Sequence, residues 1–446
     1  MYSLFAVLIL FGMICGIIDF SHPSYGFAAA IAGILVCLYL KLEGKVRFRM
    51  NLWVLSALFL IVNGLWLLLF RIEPSVDFAT FWDMACRMSG SHVVENHYVA
   101  LFPHIFGYSW FLSLFLGVFN ESIAVAVVLN LLLSLVAGLL IYAMLCRAYG
   151  EESAAFGFLL WTFCPSKMIF NAMVLSEPYY TALLLLFFWI SQQVDCSGKY
   201  SVVLGFFSGI VLRFINTARP IALIPVIAYL IWLILLKGYK KQTALYAVCF
   251  LVVYIASGPL WNGYMRERLG ERPAAGTPGY SIYVGFNKET GGAYSNSDMD
   301  ELIDLYYGDG HSAPESQQIM FERAKERIFS GNIEWGNLMV SKFRAFLGND
   351  EAGAYYASEA LTPKEYSALC IISNIYYYFL IFLTLSATLK TVRVGEFNDL
   401  QTIPIFVIGL ILAQMLVEVA GRYHYSVIPM LILVAASKRK SQWLPG

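Results

Sequence analysis

A small set of ionisable residues stands at the ends of long apolar stretches of this chain. Charge there is costly unless it serves a site or finds a partner. The set is Asp77, Glu177, Arg219, Glu418, Arg422 and His424, with Asp83 and His104 close by in the sequence. Asp77 follows an apolar run in Ile-Glu-Pro-Ser-Val-Asp-Phe-Ala-Thr-Phe-Trp-Asp. The segment from Phe78 has helical spacing, with Phe81, Trp82 and Ala85 on an apolar side. Asp77 is therefore either the N-cap of a surface helix or a carboxylate available for chemistry. Asp83 does not share its helix face and fits an i,i+4 pair with Arg87.

Ser176-Glu177-Pro178 opens an apolar run with a capping serine, an acid at the positive end of the helix dipole and a proline in the first turn. It is either a well-made helix start or an acid that orients a substrate or a cation. Arg219-Pro220 places a cation at the start of the next run, where it opposes the dipole and needs an anion, either Glu177 or a lipid phosphate. Arg213, inside the preceding run, also needs a partner. In Glu418-Val-Ala-Gly-Arg422-Tyr-His424 the acid and the arginine have the spacing of a helical ion pair. His424 beside Arg422 could hold a phosphate, since the guanidinium fork matches phosphate oxygens. Lys342 and Arg344 add positive charge.

Other chemistries lack a signature. The six histidines show no ligand spacing, and the eight cysteines include no CxxC pair, so no metal site or disulfide framework is indicated. There is no P-loop and no dinucleotide fingerprint. Net charge is zero, which gives no basic field for nucleic acid. No cofactor is expected.

The elements that position these residues are membrane spans. The chain of 446 residues is 59% hydrophobic and 13% charged, against about 25% charged for soluble domains. Runs long enough to cross a bilayer fall near 2–20, 24–41, 51–70, 123–146, 152–165, 175–193, 199–216, 219–236, 242–260, 366–389, 402–418 and 423–437. The first lacks a basic n-region and a cleavage site, so it reads as a retained span. The expected fold is all-α and polytopic, with about twelve crossings. The run 102–119 begins with Pro103 and is aromatic, so it is expected to lie on the surface or re-enter. Basic residues then fall on one side: Lys41, Lys45, Arg47 and Arg49, then Arg147, Lys199, Lys237, Lys240 and Lys241, then Lys390, Arg393, Lys438, Arg439 and Lys440. That side is cytoplasmic, with both termini, in a multi-pass protein of the cytoplasmic membrane.

Four segments follow. Residues 1–50 form an additional N-terminal hairpin, 51–260 a transmembrane core with a first outer loop at 71–122, 261–365 an extracytoplasmic cap, and 366–446 the C-terminal spans. The cap contains Gly- and Pro-rich coil and one amphipathic helix over about 314–329.

The order of these motifs, together with Phe102-Pro103-His104 and Leu175-Ser176-Glu177-Pro178-Tyr179-Tyr180, resembles the GT-C superfamily of multi-span glycosyltransferases. The nearest likeness is to bacterial members related to protein O-mannosyltransferases, over roughly residues 51–437. The resemblance implies a GT-C-like fold and a donor sugar on a polyprenyl phosphate. It also implies inverting transfer to an acceptor hydroxyl of a glycan, lipid or protein at the outer face. Asp77 matches the loop acid that acts as general base. Arg219, Arg422 and His424 would meet the charge of the leaving phosphate, and Asp83, His104, Glu177 and Glu418 would line the substrate site. The paired-acid form of the first loop is absent, because Val76 and Phe78 flank Asp77. Metal is therefore not expected. A transporter or flippase of lipid-linked glycans would call for repeat symmetry and buried gating charges. A polymerase or ligase would call for catalytic Arg or His in large outer loops.

Overall fold

The computed structural model describes residues 1–19, 22–42, 50–194, 200–237, 240–276, 278–395 and 399–437. Lys45, Arg47, Arg49, Lys199, Lys438, Arg439 and Lys440 of the expected cytoplasmic set lie outside them. Among the described residues there is no strand. The N-terminal half contains α1 (Tyr2–Ile17), α2 (Ser24–Leu42), α3 (Leu52–Leu69), α4 (Val76–Gly90), α5 (His97–Leu101), α6 (His104–Phe119) and α7 (Ile123–Tyr149). Then come α8 (Glu151–Thr162), α9 (Pro165–Asn171), α10 (Glu177–Gln193), α11 (Ser201–Ala218), α12 (Leu223–Ile231) and α13 (Lys241–Leu269). The remainder contains α14 (Gly279–Gly285), α15 (Asn296–Ile303), α16 (Ala313–Phe329), α17 (Trp335–Leu347), α18 (Ala352–Tyr356), α19 (Pro363–Val394), α20 (Thr402–Leu416) and α21 (Val427–Ala435).

Six of these, α2, α3, α7, α11, α13 and α19, are long and apolar enough to cross a membrane. The pair α8 and α9, bent by 56°, makes a seventh if taken as one span. The remaining apolar runs give shorter helices, so length and composition alone support fewer crossings than twelve. Prolines account for part of the shortfall. Pro165 follows the break between α8 and α9, and Pro220 follows the end of α11, as expected of a residue that removes a backbone donor and restricts its predecessor. Trp53, Leu68 and Leu69 leave an apolar face of α3 uncovered by protein, which suits contact with lipid.

The bundle packs α2 on α19, α4 on α6, α7 on α8, and α11 on both α10 and α13. Close approach of α11 and α13 depends on Gly205 and Gly209, where an added Cβ would meet Cys249, Val253 and the backbone of Tyr246 and Phe250. Arg213 on α11 finds its partners across this seam, Tyr254 O and Ser257 Oγ, one helical turn before Pro259. It serves a backbone carbonyl, not an acid.

The segment from 261 builds a small second core of its own. Tyr280, Tyr283, Val284, Leu302, Leu305, Met320 and Ala324 are buried together, with Ala100 and Leu101 of α5. The expected amphipathic helix is α16, closed at its N-terminus by a capping box of Ser312 and Glu315. Backbone hydrogen bonds tie this cap to the bundle at separate places: Ala274 N to Ala100 O, Glu418 N to Ser281 O, and Val419 N to Gly292 O.

Candidate active site

Two arginines and two carboxylates meet where α4, α10, the end of α11 and the break after α20 come together. Ser75, not Asp77, is the N-cap of α4, and Asp77 sits in the first turn. The shift comes from the entry to the helix. Ser75 is extended, and Val76 turns the chain in at φ +48°, a region that β-branched residues rarely adopt. Asp77 Oδ2 accepts a hydrogen bond of 2.6 Å from Arg422 Nη2. Glu177, fully buried at the start of α10, accepts one of 2.5 Å from Arg219 Nη2.

Arg219 follows the last residue of α11, so its charge sits at the negative end of that helix. The sequence reading had placed it against the dipole of the next helix, but α12 begins only at Leu223. The ring of Tyr423 lies under both guanidiniums, 4.9 Å from Arg219 and 5.6 Å from Arg422. Phe78 and Tyr356 pack on Arg422 as well. Both arginines are more than nine-tenths buried, yet among the described residues Nε of each has no hydrogen-bond partner. One oxygen of Glu177 is likewise unpartnered. Two desolvated guanidiniums with donors to spare form a ready anion site, because a buried unpaired donor costs about 1–3 kcal/mol until something accepts from it.

Glu418 does not make the helical ion pair with Arg422 that its spacing predicts. Helix α20 ends at Leu416, Val417 is extended, and a 3₁₀ turn starts only at Gly421. The cap holds Glu418 and Val419 by their backbone N–H groups, which pulls this stretch out of helix. The Glu418 carboxyl makes no hydrogen bond among the described residues. Burial pushes it up to about 7; Arg422 opposes the rise and Asp77 adds to it. Lys342, also placed near the site by sequence, donates to Met415 O and Val417 O and anchors the same stretch. Burial pushes its amine down to about 7, with Glu418 pulling the other way.

His104 lies within electrostatic range of Arg219, Asp77 and Arg422; burial first, then Arg219, holds its imidazole well below the ordinary range. Asp83 is exposed, points elsewhere and pairs with Arg87 at 2.9 Å. His424 does not face the site as expected. It is buried, stacks on Tyr377, and has both ring nitrogens engaged, Nδ1 with Phe346 O at 2.8 Å and Nε2 with Asp350 Oδ1 at 3.0 Å. It is a strut behind Arg422, not a phosphate ligand. Arg344 is spent on Cys15 O and Asp19.

Tyr98, Tyr180, Tyr280, Tyr356 and Tyr423 surround the charged cluster; Tyr180 and Tyr423 stand in the motifs quoted above without a role, and no spacing rule marks Tyr98, Tyr280 or Tyr356 among 28 tyrosines. Among the described residues no three His, Cys, Asp or Glu side chains gather as metal ligands. The fold and site define an all-helical protein of membrane type built around a buried arginine pair. The chain matches no protein-family model and no curated protein.

Proposed function

We propose that this protein is a membrane glycosyltransferase that moves a sugar from a polyprenyl-phosphate donor to an acceptor hydroxyl at the outer face of the cytoplasmic membrane. The observation that carries the reading is the pair Arg219 and Arg422. Both are desolvated, share Tyr423, and keep unpartnered Nε donors beside the carboxylate of Asp77. In this reading the shorter apolar helices complete about twelve crossings of a GT-C-like core, with the cap outside and both termini inside.

The chemistry is one displacement. The acceptor hydroxyl donates its proton to Asp77 as its oxygen attacks the anomeric carbon. The bond from that carbon to the phosphate oxygen breaks, and its electron pair leaves with the prenyl phosphate. The configuration inverts, because attack and departure occupy opposite faces. Arg219 and Arg422 meet the charge that develops on the phosphate, in a site whose dipoles and charges are already oriented. Arg422 also bonds Asp77, so a single side chain sets the distance between base and leaving group.

The test is transfer from synthetic prenyl-phosphoryl sugars by the purified protein, wild type against Asp77→Asn. Loss of about a hundredfold or more is expected, measured below the melting temperature of each protein because the variant also takes the counter-charge from Arg422. Transfer at the wild-type rate would sink the role of Asp77. Lipid movement across vesicles without transfer would favour a flippase, and chain growth of an oligomeric glycan a polymerase. Mass spectrometry of lipid-linked sugars that accumulate in a null strain would name the donor.

A further inference from the structure

Beside the arginine pair, on the cap side of Asp77, lies a group of side chains of different character. Tyr280 is the second residue of α14, its N–H held by Gln317 Oε1 at 2.8 Å and its ring packed edge-on to Phe102 at 5.6 Å. It is 2% exposed, and among the described residues its hydroxyl has no hydrogen-bond partner. Tyr98, from α5, packs on the same Phe102 at 4.9 Å. It lies within electrostatic range of Asp77, Tyr294, Glu418 and Arg422. Tyr294 is exposed and lies within electrostatic range of Asp300, Asp77 and Glu418. Glu418 completes the group, with its backbone fixed by Ser281 O and its carboxyl making no hydrogen bond among the described residues.

Resting on the transferase reading, we propose that Tyr98, Tyr280, Tyr294 and Glu418 form a second subsite that takes the sugar ring of the donor. The chemistry narrows the ligand to this class. The Asp77 carboxylate disfavours a second anion. An apolar chain would leave the buried Tyr280 hydroxyl and the Glu418 carboxyl unsatisfied, which is costly away from water. A neutral polyol suits both demands. Its C–H faces pack on the tyrosine rings, Glu418 accepts from a ring hydroxyl, and the Tyr280 hydroxyl donates or accepts as required. The position also fits, because the sugar of a phosphodiester donor must sit next to the group that holds the phosphate and next to the base.

The subsite can be tested by binding alone. The probes are citronellyl methyl phosphate, which has the diester and lipid but no sugar, and citronellyl phosphoryl glucose, mannose and arabinose. Wild-type protein in detergent should bind at least one sugar-bearing lipid about tenfold or more tighter than the methyl diester. Tyr280→Phe and Glu418→Gln should each remove most of that preference, and neither should weaken binding of the methyl diester. Tyr280→Phe keeps the buried ring, so it separates the hydroxyl from folding. Equal weakening of every probe would assign these residues a structural role and overturn the subsite, as would a wild type indifferent to all the sugars. The arginine reading fails separately. If Arg422→Lys binds the methyl diester as well as wild type does, the phosphate is held elsewhere. A sugar preference that survives in that variant and is lost in Tyr280→Phe would still support the subsite.

Discussion

Asp77 and Arg422 stand 345 positions apart in sequence and meet through one hydrogen bond of 2.6 Å between Oδ2 and Nη2. The Arg422 side chain is 9% exposed and that of Asp77 37%. The cation is thus part of the interior, while the acid stands at the edge with its other oxygen free to receive a proton. This asymmetry is what a base beside a leaving-group ligand requires, and it makes the two residues separable by mutation.

Arg422→Lys keeps the charge but replaces a rigid fork by a point charge that cannot hold Asp77 and a phosphate in fixed geometry. Transfer should fall by about 10- to 100-fold, in line with the loss of a hydrogen bond between charged groups. Initial rates at saturating donor, with a melting curve as the control for folding, decide it. An unchanged rate would show that the planar fork is not used.

Glu418 gives a pH signature. Its folded pKa of about 7 lies above the ordinary 4.5, so the folded chain keeps a proton that the unfolded chain has released. Stability from this group therefore falls as pH rises from 4.5 through 7. Glu418→Gln should flatten that slope. The variant should melt with wild type near the bottom of the window and above it at the top, by no more than about 3 kcal/mol. Melting curves restricted to this range avoid Lys342, whose depressed pKa makes stability rise with pH above about 7. A Gln variant with the wild-type slope would remove Glu418 from the account.

Breaking the buried Glu177–Arg219 pair from one side should be expensive. Glu177→Gln leaves a guanidinium in the interior without its counter-charge and should cost about 3–5 kcal/mol. The double change Glu177→Met with Arg219→Met should cost less than either single change, because both charges leave the interior together. Denaturant or thermal unfolding of Glu177→Met, Arg219→Met and the double variant reads the coupling. Additive losses would mean that the pair does not act as a unit.

The His424–Asp350 contact is a problem of proton count. Phe346 O can only accept, so Nδ1 must donate to it, and Nε2 faces a carboxylate oxygen. The pair therefore holds one proton between Nε2 and Asp350. Asp350→Asn should be tolerated, since the amide can donate to a neutral Nε2 and restore the count. Asp350→Ala should destabilise by roughly 1–3 kcal/mol. Equal melting temperatures for the two variants would show that the hydrogen bond carries no weight.

The sequence marked the charged residues well because charge beside apolar runs is rare and needs a reason. Glu177 with Arg219, Asp83 with Arg87, and the amphipathic helix near 314–329 could all be found in this way. Three features could not. The extended stretch at Val417–Ala420 is imposed by hydrogen bonds from a segment more than a hundred residues away, which local spacing cannot register. His424 looks interfacial in sequence, and only Asp350 and Phe346 show that it is buried. The tyrosine group is assembled from the first loop, the cap and the last turn, with nothing in any one of them to announce it. The all-helical, apolar character was legible in hydropathy, while prolines and irregular breaks divide the apolar runs into helices of unequal length, of which six, or seven with the bent pair, are long enough by themselves to cross a membrane.

The cap is fastened at Ala100 on one flank and at Ser281 and Gly292 on the other, and between these tethers lie the groups on which the proposed chemistry depends. Lifting the flank of Ser281 and Gly292 would move Glu418 and Val419, because those two residues are what it holds. In the proposed reaction, opening that flank and taking Glu418 out of the site would be one and the same motion.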